Sequence, residues 1–237
     1  MVARILAGEW PRHLSRIAGL LFPLLVLAAG VDLFGDLILR RIITVMFIQM
    51  VVVLGLQLFI GNSGVLSFAH VGFMGIGAYA AALFSMSAEA KANALPNLYP
   101  ILTQLQLPLL PALFLGAAVA ALVAAVVGFP LMRLSGAASV IATFSLLVII
   151  HTVLINWSQV TNGPRTIFGI ERATTLWLAA VVALLCTVLT YWFKETALGL
   201  KLRASRDQEH AAACMGVHIV VVRWVAFVLS AFIVGLG

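Results

Sequence analysis

Of the 237 residues, 63% are apolar and 9% charged, against roughly 45 to 50% and about 25% in soluble globular domains, so water is not the chain's main solvent. The net charge of +6 comes from 14 Lys and Arg scattered along the chain, without the basic, aromatic-studded surface that nucleic acid requires, and no nucleic-acid partner is expected. Two cysteines, Cys186 in an apolar run and Cys214 in a polar loop, stand at no metal-ligand spacing and form no framework, so neither cysteine chemistry nor a metal or other cofactor is expected.

A helix rising 1.5 Å per residue needs about 20 apolar residues to cross roughly 30 Å of hydrocarbon. Seven stretches come near that length: Ile17 to Val31, Ile42 to Ile60, Val65 to Phe84, Pro108 to Leu131, Ala137 to Ile155, Thr174 to Phe193 and Ile219 to Gly237. The basic segment Met1 to Arg16 precedes an apolar run without a small-residue cleavage site, which predicts an uncleaved first span. Its helix is expected to run on through Asp32 and Asp36 near the interface, where carboxylates reach water. The expected fold is all-α, a polytopic transmembrane bundle of about seven spans forming one domain over residues 1–237.

A cytoplasmic N-terminus puts Arg4, Arg12, Arg16, Arg133, Lys194, Lys201, Arg203, Arg206 and Arg223 inside. Arg40, Arg41, Lys91, Arg165 and Arg172 fall outside; the positive-inside rule favours this orientation, with Arg40-Arg41 a local exception. Trp157, Trp177, Trp192 and Trp224 lie within a few residues of predicted span ends, as interfacial aromatic belts do. Two external connections, Ser85 to Leu107 and Asn156 to Ala173, carry the turn signals Leu95-Pro96-Asn97 and Asn162-Gly163-Pro164 and face any external partner. The apolar end Ser230 to Gly237 lacks a polar tail to close a span, so the natural chain is expected to continue.

The first informative stretch runs from Gly61 to Tyr79 and is unusually glycine-rich for a helix. Glycine weakens helices, but in lipid small residues let backbones approach closely, and broken backbone survives only where protein or a wet cavity surrounds it. Gly61, Asn62, Gly64, Ser67, His70, Phe73, Gly75, Gly77 and Tyr79 are therefore candidates for a translocation pathway or for helix packing, and spacing alone favours packing. An ionisable group within a span is a functional candidate, yet His70 has no second His, Cys or carboxylate at metal spacing, so an interhelical hydrogen bond is the expected role. His151 reads the same way. All eight acids lie in loops or near span ends, which weakens an ion-coupled transporter.

The second is the long cytoplasmic loop Lys194 to His218. Residues Arg203 to Gly216 read as a short helix rich in alanine, with Gly216 suited to a left-handed turn at its end. Ala211, Ala212 and Met215 form a small apolar face that fits a groove on a partner, with Arg206 and Glu209 at its rim; a helix lying on the membrane surface is the alternative.

Together these stretches are similar to the branched-chain amino acid permease family of ABC importers. The core Gly64-x-Leu66-Ser67-x-x-His70-x-x-Phe73-x-x-x-Gly77-Ala78-Tyr79 resembles the family's most specific motif. Asn156-Trp157 with Thr161-Asn162-Gly163-Pro164 resembles its outer loop, and Gly199-x-x-x-Arg203-Ala204 with Glu209-x-Ala211-Ala212-x-x-x-Gly216 its coupling loop. The alanines stand one residue later than in the Glu-Ala-Ala-Gly pattern, and Thr143-Phe144-Ser145-Leu146-Leu147 lacks the acid of the family's Phe-Gly-Glu-like element. The resemblance implies a transport subunit of the bacterial inner membrane, not an enzyme. It implies a second permease subunit, commonly a different one in a heterodimer, two cytoplasmic ATPase subunits contacted through Arg203, Arg206, Glu209, Ala211, Ala212 and Gly216, and an extracytoplasmic substrate-binding protein. The sequence has no Gly-x-x-x-x-Gly-Lys-Ser/Thr phosphate loop, so ATP hydrolysis falls to a partner. The implied substrate is a branched-chain or related hydrophobic amino acid; urea, short amides or aromatic acids in the same family, and an ATP-independent secondary transporter, are the alternatives.

Overall fold

The computed structural model describes residues 2–96, 98–165, 167–169 and 174–237, with the side chains of 2–14 and 101 excluded. Asn97, Arg172 and the side chains of Arg4 and Arg12, which entered the sequence reading, lie outside the described residues. The described backbone is helical throughout, without strands. In chain order the helices are α1 (Val2–Phe34), α2 (Leu37–Leu56, prolonged by a π turn over Gln57–Gly61), α3 (Ala69–Ser85), α4 (Ala88–Ala94), α5 (Pro100–Thr103) and α6 (Leu109–Leu131). They are followed by α7 (Gly136–Asn156), α8 (Ser158–Thr161), α9 (Leu176–Glu195), α10 (Ala197–Asp207), α11 (Glu209–Cys214) and α12 (Ile219–Leu236).

Among the described residues six stretches are long and apolar enough to cross a membrane: Ser15–Phe34, Leu37–Gly61, Leu109–Leu131, Gly136–Asn156, Leu176–Glu195 and Ile219–Leu236. The seventh expected span, Val65 to Phe84, begins only at Ala69 and has 17 residues as α3. The difference has a local cause: Gly64 takes a left-handed φ of 71°, which glycine alone adopts without steric cost, and residues 64–67 leave the helix.

The expected single helix over Arg203 to Gly216 is two helices. Gln208 is extended, with φ −151° and ψ 98°, and its N–H closes α10 on Ala204 O. Thr196 caps the start of α10 by accepting from Gly199 N–H. At the end of α11 Gly216 takes φ 78°, its N–H donates to Ala213 O, and Val217 N–H donates to Ala212 O. That pair of bonds is the Schellman arrangement, which satisfies carbonyls a helix end leaves open.

The centre of the bundle is α6, packed between α3 and α12, with α2 on the far side of α12. Ala112, Gly116, Ala120, Ala124 and Gly128, all buried, recur every fourth residue along one face of α6, so backbones approach where larger side chains would hold them apart. α9 packs on α2 and α1, and α7 leans chiefly on α3. Outside the spans, Leu83, Met86, Ala94, Leu95 and Leu98 make a small separate core under α4 and α5. Lys91 is buried there, and its ammonium donates to Leu102 O and Leu105 O. Burial pulls its pKa below the ordinary 10.5.

Candidate functional site

The interruption between α2 and α3 is where the two sequence motifs meet. A π turn such as Gln57–Gly61 detaches carbonyls from the regular ladder and recurs at functional sites. Arg206, on α10, donates from Nη1 to Gly61 O at 2.7 Å. Its aliphatic stem crosses Gly64 so closely that a Cβ there would lie 2.8 Å from Arg206 Cγ. Gly64 thus serves both the turn and the passage of the arginine. Asn62 is buried and donates to Leu58 O at 2.9 Å, while Ser63 Oγ accepts from Val65 N–H.

At the start of α3, His70 is 1% exposed. Its Nδ1 is 3.0 Å from Ser67 Oγ and its Nε2 2.7 Å from Ser230 Oγ on α12. Ser230 already donates its hydroxyl proton to Phe227 O, so a neutral imidazole with its proton on Nε2 donates to Ser230 and accepts from Ser67. Every polar atom of the ring is then satisfied without burying charge. Phe59, Phe73 and Phe227 surround the ring at centroid distances of 5.6, 6.1 and 5.2 Å. The imidazole is a joint between the broken segment and α12.

Further along α3, Gly77 is a backbone contact. A Cβ there would lie 2.5 Å from Gly235 O on α12, and one at Gly116 on α6 would lie 2.7 Å from Gly77 O. A Cβ at Gly235 would be 2.9 Å from Ala120 Cβ. Three helices therefore touch at one glycine-built point. Gly75 lies apart from it, facing Leu154 on α7, where a Cβ would lie 3.2 Å from the tip of that side chain. Tyr79 borders two cavities. One, of about 440 Å³, runs between α3, α6 and α7 and is lined by Ile76, Leu83, Val123, Ile150 and Leu154 among others. The second, of about 500 Å³, opens outward past Pro164, Arg165 and Ile167.

In the loop Lys194 to His218 the expected rim residues turn into the chain. Arg206 holds Gly61 as described, and Arg203 donates to Lys194 O at the end of α9. Glu209 receives both Nη1 and Nη2 of Arg223 on α12, at 3.2 and 3.1 Å. Arg223 is nearly buried and its fork matches the carboxylate bidentately. The expected apolar face divides: Ala212 is buried, whereas Ala211 and Met215 are exposed, Met215 to 85%. Ala211, Met215 and Gly216 remain on the outer surface of α11 and its cap.

The loop thus grips the α2–α3 break through Arg206 and α12 through Glu209, and α12 grips the same break through Ser230 and His70. Several partners escaped the sequence reading, Ser230 and Gly235 on α12 among them. Arg223 counted there only as a cytoplasmic charge, although an arginine inside an apolar run is itself a signal. The α6 stripe Ala112 to Gly128 was legible as small residues at spacing four.

The profile of the family described as "Branched-chain amino acid transport system / permease component" matches residues 38–237. The high-affinity branched-chain amino acid transport system permease protein LivM of Salmonella typhimurium is 27% identical over 231 residues, covering 82% of this chain and 50% of that protein. Its namesake in Escherichia coli K12 is 27% identical over 228 residues, with the same coverage. The chain spans about half the length of these curated relatives. No solved structure matches it. The profile takes in the broken helix, the loop carrying α10 and α11, and α12 and leaves only α1 and its turn ahead of it, so the chain belongs to the permease-component family of branched-chain amino acid transport systems and is a multi-pass protein of the bacterial inner membrane.

Proposed function

We propose that this chain is the permease subunit of an ATP-driven importer that moves branched-chain or related hydrophobic amino acids into the cell, and that α10 and α11 transmit the ATPase stroke to the α2–α3 break. The observation that carries the reading is the bond from Arg206 to Gly61, because it joins the loop accessible to a soluble partner to the broken segment within the bundle. Two cytoplasmic ATPase subunits act on the permease pair, one of them on the exposed Ala211 and Met215 of α11. A displacement there pulls α12 through Glu209–Arg223 and the break through Arg206. Both movements converge on Ser67, His70 and Ser230, the hydrogen-bonded joint between the broken segment and α12. The bundle then switches between inward-open and outward-open states as nucleotide shifts their populations.

A second permease subunit, different in sequence, completes the conduit. An extracytoplasmic binding protein delivers substrate to the outer face, where α4, α5 and the segment around Arg165 lie. An aliphatic side chain suits the apolar cavity beside Tyr79 better than urea does, since urea would leave its donors and acceptors unpaired there.

Uptake of labelled leucine, urea and an aromatic acid, by cells carrying the complete transport system with and without this gene, tests the substrate. Loss of leucine uptake alone is expected; loss of urea or aromatic acid uptake instead would move the assignment. Coupling is tested by Ala211→Glu with Met215→Asp, which should detach the ATPase subunits on co-purification. Undiminished association, or uptake that persists without ATPases, would favour an ATP-independent transporter.

A further inference from the structure

At the outer face a second charged cluster has no part in the proposed cycle. The turn from α1 to α2 exposes Leu33, Phe34, Leu37 and Ile38 to 76, 90, 86 and 75%. Four apolar side chains so presented are unfavourable in water, and they set the tip of this hairpin at the boundary of headgroups and acyl chains. Asp32, Arg40 and Arg41 flank the tip on its bilayer side, so they lie at headgroup depth and not in bulk water. Asp32 pairs with Arg40 at 3.4 Å and accepts from Trp177 Nε1 at 3.0 Å. Arg41 is exposed and has no ion pair or side-chain hydrogen bond among the described residues. Asp32, Arg40 and Arg41, with Thr44, Thr174, Thr175 and Trp177, border an open cavity of about 500 Å³ between α1, α2 and α9.

We propose that this cavity binds the phosphodiester headgroup of an anionic phospholipid of the outer leaflet. The fork of Arg41, the neighbouring charge of Arg40 and the hydroxyls of Thr174 and Thr175 suit a phosphate, and the apolar flanks of α1 and α2 offer its acyl chains a surface. Among the described residues Asp32 is the only carboxylate lining the cavity, set against Arg40 and Arg41, so that lining keeps one surplus positive charge. This favours phosphatidylglycerol over phosphatidylethanolamine. It also accounts for an arginine pair on the side of the membrane where such residues are scarce. The inference rests on membrane embedding alone and stands apart from the transport reading.

The test is native mass spectrometry of the assembly as extracted in detergent, titrated with phosphatidylglycerol, phosphatidylethanolamine or soluble glycerol 3-phosphate. Phosphatidylglycerol should bind more tightly than phosphatidylethanolamine, and Arg41→Gln should weaken it about fivefold, the worth of one basic side chain at an anionic membrane surface. Arg41→Lys should restore most of the affinity, and Arg165→Gln, outside this cavity, should change nothing. Unaltered phosphatidylglycerol affinity in Arg41→Gln, or equal affinity for phosphatidylethanolamine, would overturn the site. Glycerol 3-phosphate competing at equal concentration would make it a free-phosphate site and overturn the lipid assignment.

Discussion

Removing either partner of the Glu209–Arg223 pair should have unequal consequences, because the two side chains are unequally buried, at 42% and 6% exposure. Truncating one member of a fully buried pair costs about 3–5 kcal/mol, since the other charge stays desolvated, whereas exposed pairs are worth about 0.2–1 kcal/mol. Glu209→Ala strands the guanidinium of Arg223, whose Nε already lacks a partner, and should cost about 2–3 kcal/mol, somewhat below the fully buried case. Arg223→Met leaves a half-exposed carboxylate that water can solvate and fills the vacated volume with an apolar chain, so it should cost no more than about 1 kcal/mol. For a chain of this size these figures correspond to falls in melting temperature of about 4–12 °C and at most about 4 °C. Thermal unfolding of the detergent-extracted assembly measures both, and the double variant should recover at least half the loss of Glu209→Ala. Equal losses, or a larger one for Arg223→Met, would refute the asymmetry. Both single variants and the double variant should lower substrate-stimulated ATP hydrolysis, because all three sever α11 from α12.

Three further outcomes follow from the geometry. Gly77→Leu should abolish uptake and assembly, since its Cβ would meet backbone of Gly235 that cannot retreat, whereas Gly75→Ala should retain most uptake because only the tip of Leu154 need move; transport assays and membrane yield distinguish them. Ser230→Ala leaves His70 Nε2 without its acceptor and should destabilise the bundle by about 1–3 kcal/mol, read by thermal unfolding, with Ser230→Thr recovering part of it. The external core around Lys91 should become more resistant to proteolysis as pH rises from the depressed pKa of that ammonium toward 10.5. Over that window the unfolded segment binds more protons than the folded one, so stability increases with pH; Lys91→Met should flatten the profile.

Span positions could be read from the sequence because bilayer thickness imposes a length on every apolar run. The third span was over-long because Val65 and Leu66 are apolar and hydropathy carries no backbone angle; Gly64 decided the matter through its left-handed turn. The loop helix likewise broke at Gln208, a residue with no strong local preference against helix. Its extended backbone lets Glu209 turn back to Arg223, fourteen residues on, and such tertiary demands overrule local propensity. The site residues Gly64, Ser67, His70 and Gly77 stood out by their chemistry. Of their partners, Arg206 stood out only as a rim residue for an outside partner, and Ser230 and Gly235 not at all, because pairing across 142 to 160 positions depends on which helices become neighbours.

The point where Gly77, Gly116 and Gly235 meet has a mechanical consequence. Main chain lies against main chain there, so α3, α6 and α12 have no side-chain cushion to reshuffle and can only rock about the contact as stiff rods. Arg223 stands twelve residues from Gly235 along α12, a lever arm of about 18 Å at 1.5 Å per residue. Helix displacements of about 1–2 Å, the usual scale of such transitions, then tilt the rod by about 3–6°. A glycine fulcrum would turn a small displacement at Arg223 into a change of angle felt along the whole helix.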